Sequence, residues 1–389
     1  MPPTLSAPFK IVYLTPSVRL FGARQSLRQL VTHLDRERFE PLVVCPRRGD
    51  LEEVLREAGI QTRILRLPPW RKGKWLLLRF WWVRALRQLL KEEGARLIHC
   101  NEFHSTPYAV AAARALAIPA VAHHRLSITP RQILNYHLEQ ADRLIVVSKA
   151  AGEAFAPWPQ IVAKMHVVYN GLDLEAFTAD ANREKLRHEL RLHPDDFLIG
   201  QLGLISERKQ THLALDSFDR LAERYPHVHL AIVGSAAVGQ EAYAAEAERR
   251  AAASPFAERI HFTGFRQDIA DVCAALDLNL LISNDEGFGR VIIEAGAFGA
   301  PTVGSRVGGI PEVIDDGRSG LLVEGSNAAA LAQAVTQAVI QLLENPERYR
   351  QLQDCVREKV TREFSIERHL TQIQAIYDEL LNPDHKKTH

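Results

Sequence analysis

Ser283–Val323 reads SNDEGFGRVIIEAGAFGAPTVGSRVGGIPEVIDDGRSGLLV. An apolar run leads into a glycine-bearing loop, then a helix, a short strand and a second glycine-rich turn. Gly287 and Gly289 let the backbone approach a ligand closely. The helix starting near Arg290 offers unpaired N–H groups and the positive end of its dipole, which suits a phosphate. The same glycines also fit an ordinary strand–helix turn, so they decide nothing alone. Glu286 and Glu294 add the discriminating feature. Carboxylates beside an anion site repel it unless hydroxyls or cations face them, and a nucleotide sugar supplies hydroxyls. Glu294 stands about one turn into the helix among apolar and small neighbours, which predicts a largely buried environment.

Outward from this segment, apolar runs alternate with helical stretches. The first series is Lys10–Leu14, Pro41–Cys45, Arg96–His99, Ala120–His123, Arg143–Val147 and His166–Tyr169. A second comprises Phe197–Leu202, His229–Val233, Arg259–Phe262, Leu278–Ile282, Pro301–Gly304 and Leu321–Val323. Near-continuous apolar strands separated by helices predict parallel sheets covered on both faces. Two doubly wound α/β halves are therefore expected, joined near Asp173–Pro194, a polar stretch with no convincing strand. Ligands of such sheets bind outside the carboxyl ends of the strands, and two facing halves would place the site in a cleft between them. Pro346–Phe364 and Ile366–Leu381 read as two closing helices.

Composition narrows the class. The 389 residues carry 48 Lys+Arg against 47 Asp+Glu, a formal charge of +1, which argues against a broad nucleic-acid footprint. Hydrophobic residues at 46% and charged residues at 24% describe a globular chain with a core. Four dispersed cysteines form no C-x-x-C pair, so neither a disulfide framework nor a cysteine zinc site is indicated. Met1–Pro8 lacks the apolar stretch of a signal peptide, and no run is long and apolar enough for a spanning helix. A cytoplasmic enzyme is the expectation.

The spacing Glu286–Glu294 within EGFGRVIIEA, followed by GAPTVGSRVGGIPEVI and GLLV, resembles the donor-binding signature of family 4 retaining glycosyltransferases of the GT-B type. VYNGLDLEAF (Val168–Phe177) is similar to that family's interdomain segment, RLIVVS (Arg143–Ser148) to its last N-domain strand, and IVG (Ile232–Gly234) with FTGFRQD (Phe262–Asp268) to its C-domain strands and base-side loop. The resemblance runs from about Lys10 to the end. It implies a GT-B α/β fold of two Rossmann-like doubly wound domains facing across a cleft. Residues 1–178 would bind acceptor and 179–365 the nucleotide-sugar donor, with the helix in 366–389 packing back on the first domain.

Site roles follow from the same resemblance. Glu294 would bind ribose and Glu286 the donor sugar, with the backbone of Gly287, Phe288, Gly289 and Arg290 on sugar and diphosphate. Gly234, Phe265 and Arg266 fall on the base side. In GLISERKQ (Gly203–Gln210), Lys209 matches the phosphate-binding lysine, while Leu204 stands where the family carries arginine and Arg208 is the expected substitute. Only Gly22 of Phe21-Gly22-Ala23 matches the family's double-glycine loop, and His124 falls where it often places an acceptor-side histidine. No D-x-D occurs, so lysine and arginine would take the role of a metal on the diphosphate. No bound cofactor is expected beyond the nucleotide sugar as co-substrate, and the acceptor would be a glycan or lipid-linked hydroxyl. A GT-B phosphorylase and a non-catalytic nucleotide-sugar-binding subunit are competing readings.

LPPWRKGKWLLLRFWWVR (Leu67–Arg84) holds four of the chain's five tryptophans among five basic residues. Indoles beside cations suit an anionic membrane surface. A core-packed helix with Trp75, Leu78 and Trp82 on one stripe is the competing reading.

Overall fold

The structure is a computed structural model describing residues 7–70 and 75–382, with residues 75–77 described by backbone alone. The chain forms two units: Met1–Gly171 with Ile366–His389, and Leu172–Ser365. The division falls seven residues ahead of the expected 178/179 boundary. Phe177 packs on Phe298 with ring centroids 5.6 Å apart, which ties that segment to the second unit. The expected joining stretch holds the helices Leu174–Thr178 and Arg183–Glu189.

In the first unit, β1 (Phe9–Leu14), β2 (Phe39–Cys45), β3 (Gln61–Ile64), β4 (Leu97–Cys100), β5 (Ala120–His124), β6 (Arg143–Val146) and β7 (Met165–Val167) form one parallel sheet. Their order is β3-β2-β1-β4-β5-β6-β7. The helix Ile366–Leu381 belongs to this unit. Its Ile366, Ile373, Ile376 and Tyr377 share one core with Ile11, Tyr13 and Leu27. β3, QTRI, is mostly exposed at the sheet edge and has no apolar run, so periodicity does not reveal it.

In the second unit, β8 (Phe197–Leu202), β9 (Val228–Val233), β10 (Ile260–Gly264), β11 (Leu278–Leu281), β12 (Thr302–Ser305) and β13 (Gly320–Val323) are again parallel. Their order, β10-β9-β8-β11-β12-β13, repeats that of the first six strands. In each unit the strand order reverses beside the first strand, at β1/β4 and at β8/β11. Such a reversal sends the loops after those two strands apart around a crevice.

A chain of buried polar groups crosses the first unit. Tyr377 Oη donates to Tyr13 Oη at 3.0 Å and lies 2.6 Å from His99 Nδ1. His99 Nε2 is 3.3 Å from His123 Nδ1, which is 3.2 Å from Arg125 Nη2. Burial holds His99 neutral with its pKa pushed down to about 3, and His124 at about 4. Both histidines take up protons near 6.5 in the unfolded chain, so stability is complete above that value and declines as pH falls toward 4. Each contributes about 1.4 kcal/mol of loss per pH unit in that window. The urea midpoint at pH 5 is therefore expected below that at pH 7.5, and His99→Gln is expected to flatten the dependence. A midpoint unchanged between the two pH values contradicts this.

Candidate functional site

The reversal at β8/β11 brings together three charged side chains of the second unit, Arg208, Lys209 and Glu286. β8 ends at Leu202 and its loop carries Arg208 and Lys209; β11 ends at Leu281 and its loop carries Glu286. Because β8 and β11 are neighbours, Lys209 Nζ reaches Glu286 Oε2 at 2.5 Å and Arg208 Nη1 reaches the same oxygen at 3.2 Å. The Lys209 and Glu286 side chains are only 11% and 12% exposed. Burial alone raises a carboxyl pKa, but the two adjacent cations outweigh it and hold Glu286 below its ordinary value. Glu286 is thus an ionised hydrogen-bond acceptor at neutral pH, unsuited to donating a proton.

Both loops are fastened by the backbone. Buried Gln201 donates from Nε2 to Lys209 O at 2.7 Å, and Asn284 N donates to Arg208 O at 3.1 Å. Arg208 Nη1 also donates to Asp285 O at 2.8 Å. Ser305, at the end of β12, accepts from Ser283 N at 2.9 Å and donates to Ser283 O at 2.7 Å. Gly309 N donates to Glu286 O at 2.9 Å. A Cβ on Gly308 would lie 2.1 Å from that same oxygen, so the second glycine turn is needed where it presses against the Glu286 loop. Gly234 plays the equivalent part beneath the Lys209 loop: a Cβ there would sit 1.9 Å from Gly203 O.

Gly289, at φ 87°, caps the helix Arg290–Ala297. Glu294 stands one turn in, with Arg290 Nε 2.7 Å from its Oε1 and both side chains 12% exposed. Phe288 is buried with its ring 5.7 Å from Phe364. Phe265 is 51% exposed beyond β10. Arg266 has its guanidinium engaged by Asp268 at 2.7 Å and Glu189 at 2.8 Å, so its side chain is committed within the fold. Leu204 is half-buried in the loop that carries Arg208 and Lys209.

The expected first-unit residues fare differently. Gly22 opens the helix Gly22–Thr32, and a Cβ on it would meet nothing within 4 Å. His124 is fully buried, its ring 5.6 Å from Phe103 and 5.4 Å from Phe155. That enclosure removes its ring from direct contact with an acceptor in this structure. Sequence reasoning missed Arg125, which donates to Asn101 O at 3.0 Å, to Asn101 Oδ1 at 2.9 Å and to Asn170 Oδ1 at 2.8 Å. It also missed Glu102, paired with Arg24 at 2.6 Å. Their only sequence signal was polar residues directly after apolar strands.

The tryptophan-rich stretch forms the helix Trp75–Glu92. Arg71, Lys72 and Lys74 lie outside the described residues, as does the side chain of Trp75. Phe80 is 68% and Trp81 65% exposed, while Trp82 is half-buried. Leu78, expected on a packed stripe, is 42% exposed. Trp70 packs edge-on to Tyr108 at 4.8 Å beneath Arg79. Among the described residues no helix is long and apolar enough to cross a membrane.

Comparison with known proteins places this geometry. A family model described as Glycosyltransferase Family 4 matches residues 22–176, and one described as Glycosyl transferases group 1 matches residues 182–359. An N-acetyl-alpha-D-glucosaminyl L-malate synthase of Bacillus anthracis is 39% identical over 127 residues, 33% of this chain and 32% of that protein. A D-inositol 3-phosphate glycosyltransferase of Corynebacterium urealyticum is 27% identical over 299 residues, 74% of this chain and 66% of its own length. Each of these matches spans less than two thirds of the relative's length. The crystal structure of Anabaena HepE in complex with UDP and glucose superposes with a TM-score of 0.83 at 25% identity, covering 96% of this chain and 100% of that one. Sucrose-phosphate synthase from Thermosynechococcus elongatus gives a TM-score of 0.77 at 20% identity over 96% of this chain and 100% of its own.

Proposed function

This chain belongs to glycosyltransferase family 4, with the GT-B fold, and from that premise we propose that it moves a hexose from a nucleoside-diphosphate sugar to a hydroxyl acceptor with retention of configuration and without a metal. The observation that carries this is the convergence of Lys209 and Arg208 on Glu286 at the β8/β11 reversal. Two cations there can receive a diphosphate, and the carboxylate held beside them accepts hydrogen bonds from sugar hydroxyls. Glu294 takes the ribose and the start of the helix Arg290–Ala297 faces the phosphates.

In the reaction the acceptor oxygen forms a bond to the anomeric carbon as the bond from that carbon to the diphosphate breaks. The diphosphate leaves with the bonding electrons and takes the acceptor's proton on the same face, which preserves configuration. Charge grows on the leaving oxygens, and a lysine already fixed in a water-poor site stabilises it without reorganising. Lys209 and Arg208 supply the positive charge that a metal supplies elsewhere. Arg208 replaces the arginine absent at Leu204.

The HepE complex with UDP and glucose makes uridine the first base to test. In a thermal-shift panel of UDP-, GDP- and ADP-sugars, one base is expected to raise the melting temperature selectively. Glu294→Ala is expected to abolish that rise together with turnover. No shift with any nucleotide would refute the assignment, and a shift without turnover on any acceptor would identify a binding subunit instead.

The acceptor we propose is a glycan or lipid-linked hydroxyl presented at an anionic membrane surface. Support comes from Phe80 and Trp81, whose exposed rings share a helix with Arg84, Arg87 and Lys91. Replacing Phe80 and Trp81 by Ala is expected to lower co-sedimentation with phosphatidylglycerol vesicles severalfold while leaving soluble-donor binding intact. Equal sedimentation of the variant would remove the membrane from the account.

A further inference from the structure

Arg290 stands where helix electrostatics disfavour a cation. It is the first residue of the helix Arg290–Ala297, whose first turn carries no acid, so its charge lies at the positive end of the dipole. Its partner Glu294 follows it at i+4, the weaker order, because a carboxylate placed before the cation supports a helix better. Both side chains are only 12% exposed, so the attraction between Arg290 Nε and Glu294 Oε1 at 2.7 Å competes with the desolvation of both charges. Helix stability therefore does not explain an arginine here. A guanidinium carries five N–H donors in a planar fork that matches a phosphate, and the Glu294 contact engages the one on Nε.

The Lys209–Glu286 contact has the same make-up, one cation against one carboxylate. Only Gly287, Phe288 and Gly289 separate Glu286 from Arg290, so chain reach keeps their Cα atoms within about 14 Å. That loop is closely held. A Cβ on Gly309 would lie 2.4 Å from Gly287 O, and one on Gly289 would lie 2.8 Å from the Ile292 side chain. Two pairs of like composition thus stand at the two ends of one fixed loop.

A nucleoside-diphosphate sugar is duplicated in the same way. It joins a ribose 5′-phosphate to a sugar 1-phosphate through one shared oxygen, and each half offers one phosphate and a set of hydroxyls. We propose that the Arg290 side chain binds the phosphate attached to the ribose, so that Arg290 and Glu294 read the nucleoside monophosphate half while Lys209 and Glu286 read the sugar 1-phosphate half. Glu294 on the ribose diol puts the guanidinium at its Oε1 beside the 5′ carbon and the phosphate that carbon carries. Arg290 is thereby a specificity-determining residue of the donor site through its side chain. The inference deepens the donor reading above and rests on it.

Fragments of the donor test this on the full-length protein by ligand-observed NMR. UMP, uridine and α-glucose 1-phosphate are titrated into the wild type, Arg290→Met, Arg290→Lys and Lys209→Met, with the guanosine or adenosine series taking over if UDP itself does not bind. Arg290→Met is expected to weaken UMP about tenfold or more, the effect of losing charge-assisted hydrogen bonds. Uridine and glucose 1-phosphate should stay within about twofold in that variant. Lys209→Met should give the converse, a loss of about tenfold for glucose 1-phosphate with UMP little changed. Arg290→Lys, which keeps the charge without the fork, should restore part of the UMP affinity. Uridine, which has no phosphate, reports in every variant that the site is still folded. UMP affinity indifferent to Arg290→Met overturns the proposal. An equal loss for UMP and uridine also overturns it, since Arg290 would then only brace Glu294, and an equal loss for glucose 1-phosphate overturns the division into halves. Any of these outcomes with UDP still binding defeats this assignment alone, whereas failure of UDP, GDP and ADP all to bind defeats the donor reading beneath it.

Discussion

The reversal of strand order between β8 and β11 is the constraint on which the candidate site depends. Each strand of the second sheet is followed by a crossover that returns to the same end. Only at the reversal do the loops after two neighbouring strands diverge and leave room between them. Arg208 and Lys209 come from one side of that gap and Glu286 from the other. Everything near the gap serves to hold its two rims: Gln201 under the Lys209 carbonyl, Ser305 around Ser283, and Gly309 on the Glu286 carbonyl.

An ion pair enclosed this far is weak evidence of stabilisation, because the desolvation of both charges offsets most of their attraction. An apolar pair of similar volume would support the fold as well. The Lys209–Glu286 contact makes sense as a preassembled binding device. Glu286 holds the lysine in place at the reversal, and a diphosphate then competes for the same ammonium. The displaced carboxylate is left facing donor hydroxyls, a change of partners that involves little movement of backbone. Arg290 and Glu294 form a second pair of the same kind one turn into the next helix, with the same shallow exposure.

Much of this was legible in sequence because it is encoded locally. Buried parallel strands leave apolar runs, and the Ser283–Val323 segment holds loop, helix, strand and glycine turn in consecutive order. The glycines at 308 and 309 could be seen there, but the backbone oxygen that excludes a side chain at 308 could not. Ser305 was invisible as a site residue, since its partner Ser283 is set by which strands become neighbours, and Gln201 because its bond to Lys209 O depends on the loop folding back onto its own strand. The same holds for Arg125, whose acceptors Asn101 and Asn170 sit on loops far apart in the chain. His124 was placed on the correct strand end, but the rings of Phe103 and Phe155 that enclose it come from distant segments. β3 escaped notice because an edge strand needs no apolar alternation, and Leu78 because a stripe on a helix does not say what covers it.

The competition between Glu286 and a diphosphate for Lys209 is tested most directly by a double-mutant cycle on nucleoside-diphosphate affinity, using Lys209→Met, Glu286→Gln and the pair together. The account predicts that Lys209→Met weakens binding about tenfold or more, the scale of one charge-assisted contact. Glu286→Gln alone should tighten it, and that gain should shrink once Lys209 is gone. Affinity indifferent to Lys209→Met, or a Glu286→Gln variant that weakens the diphosphate equally in both backgrounds, would contradict it.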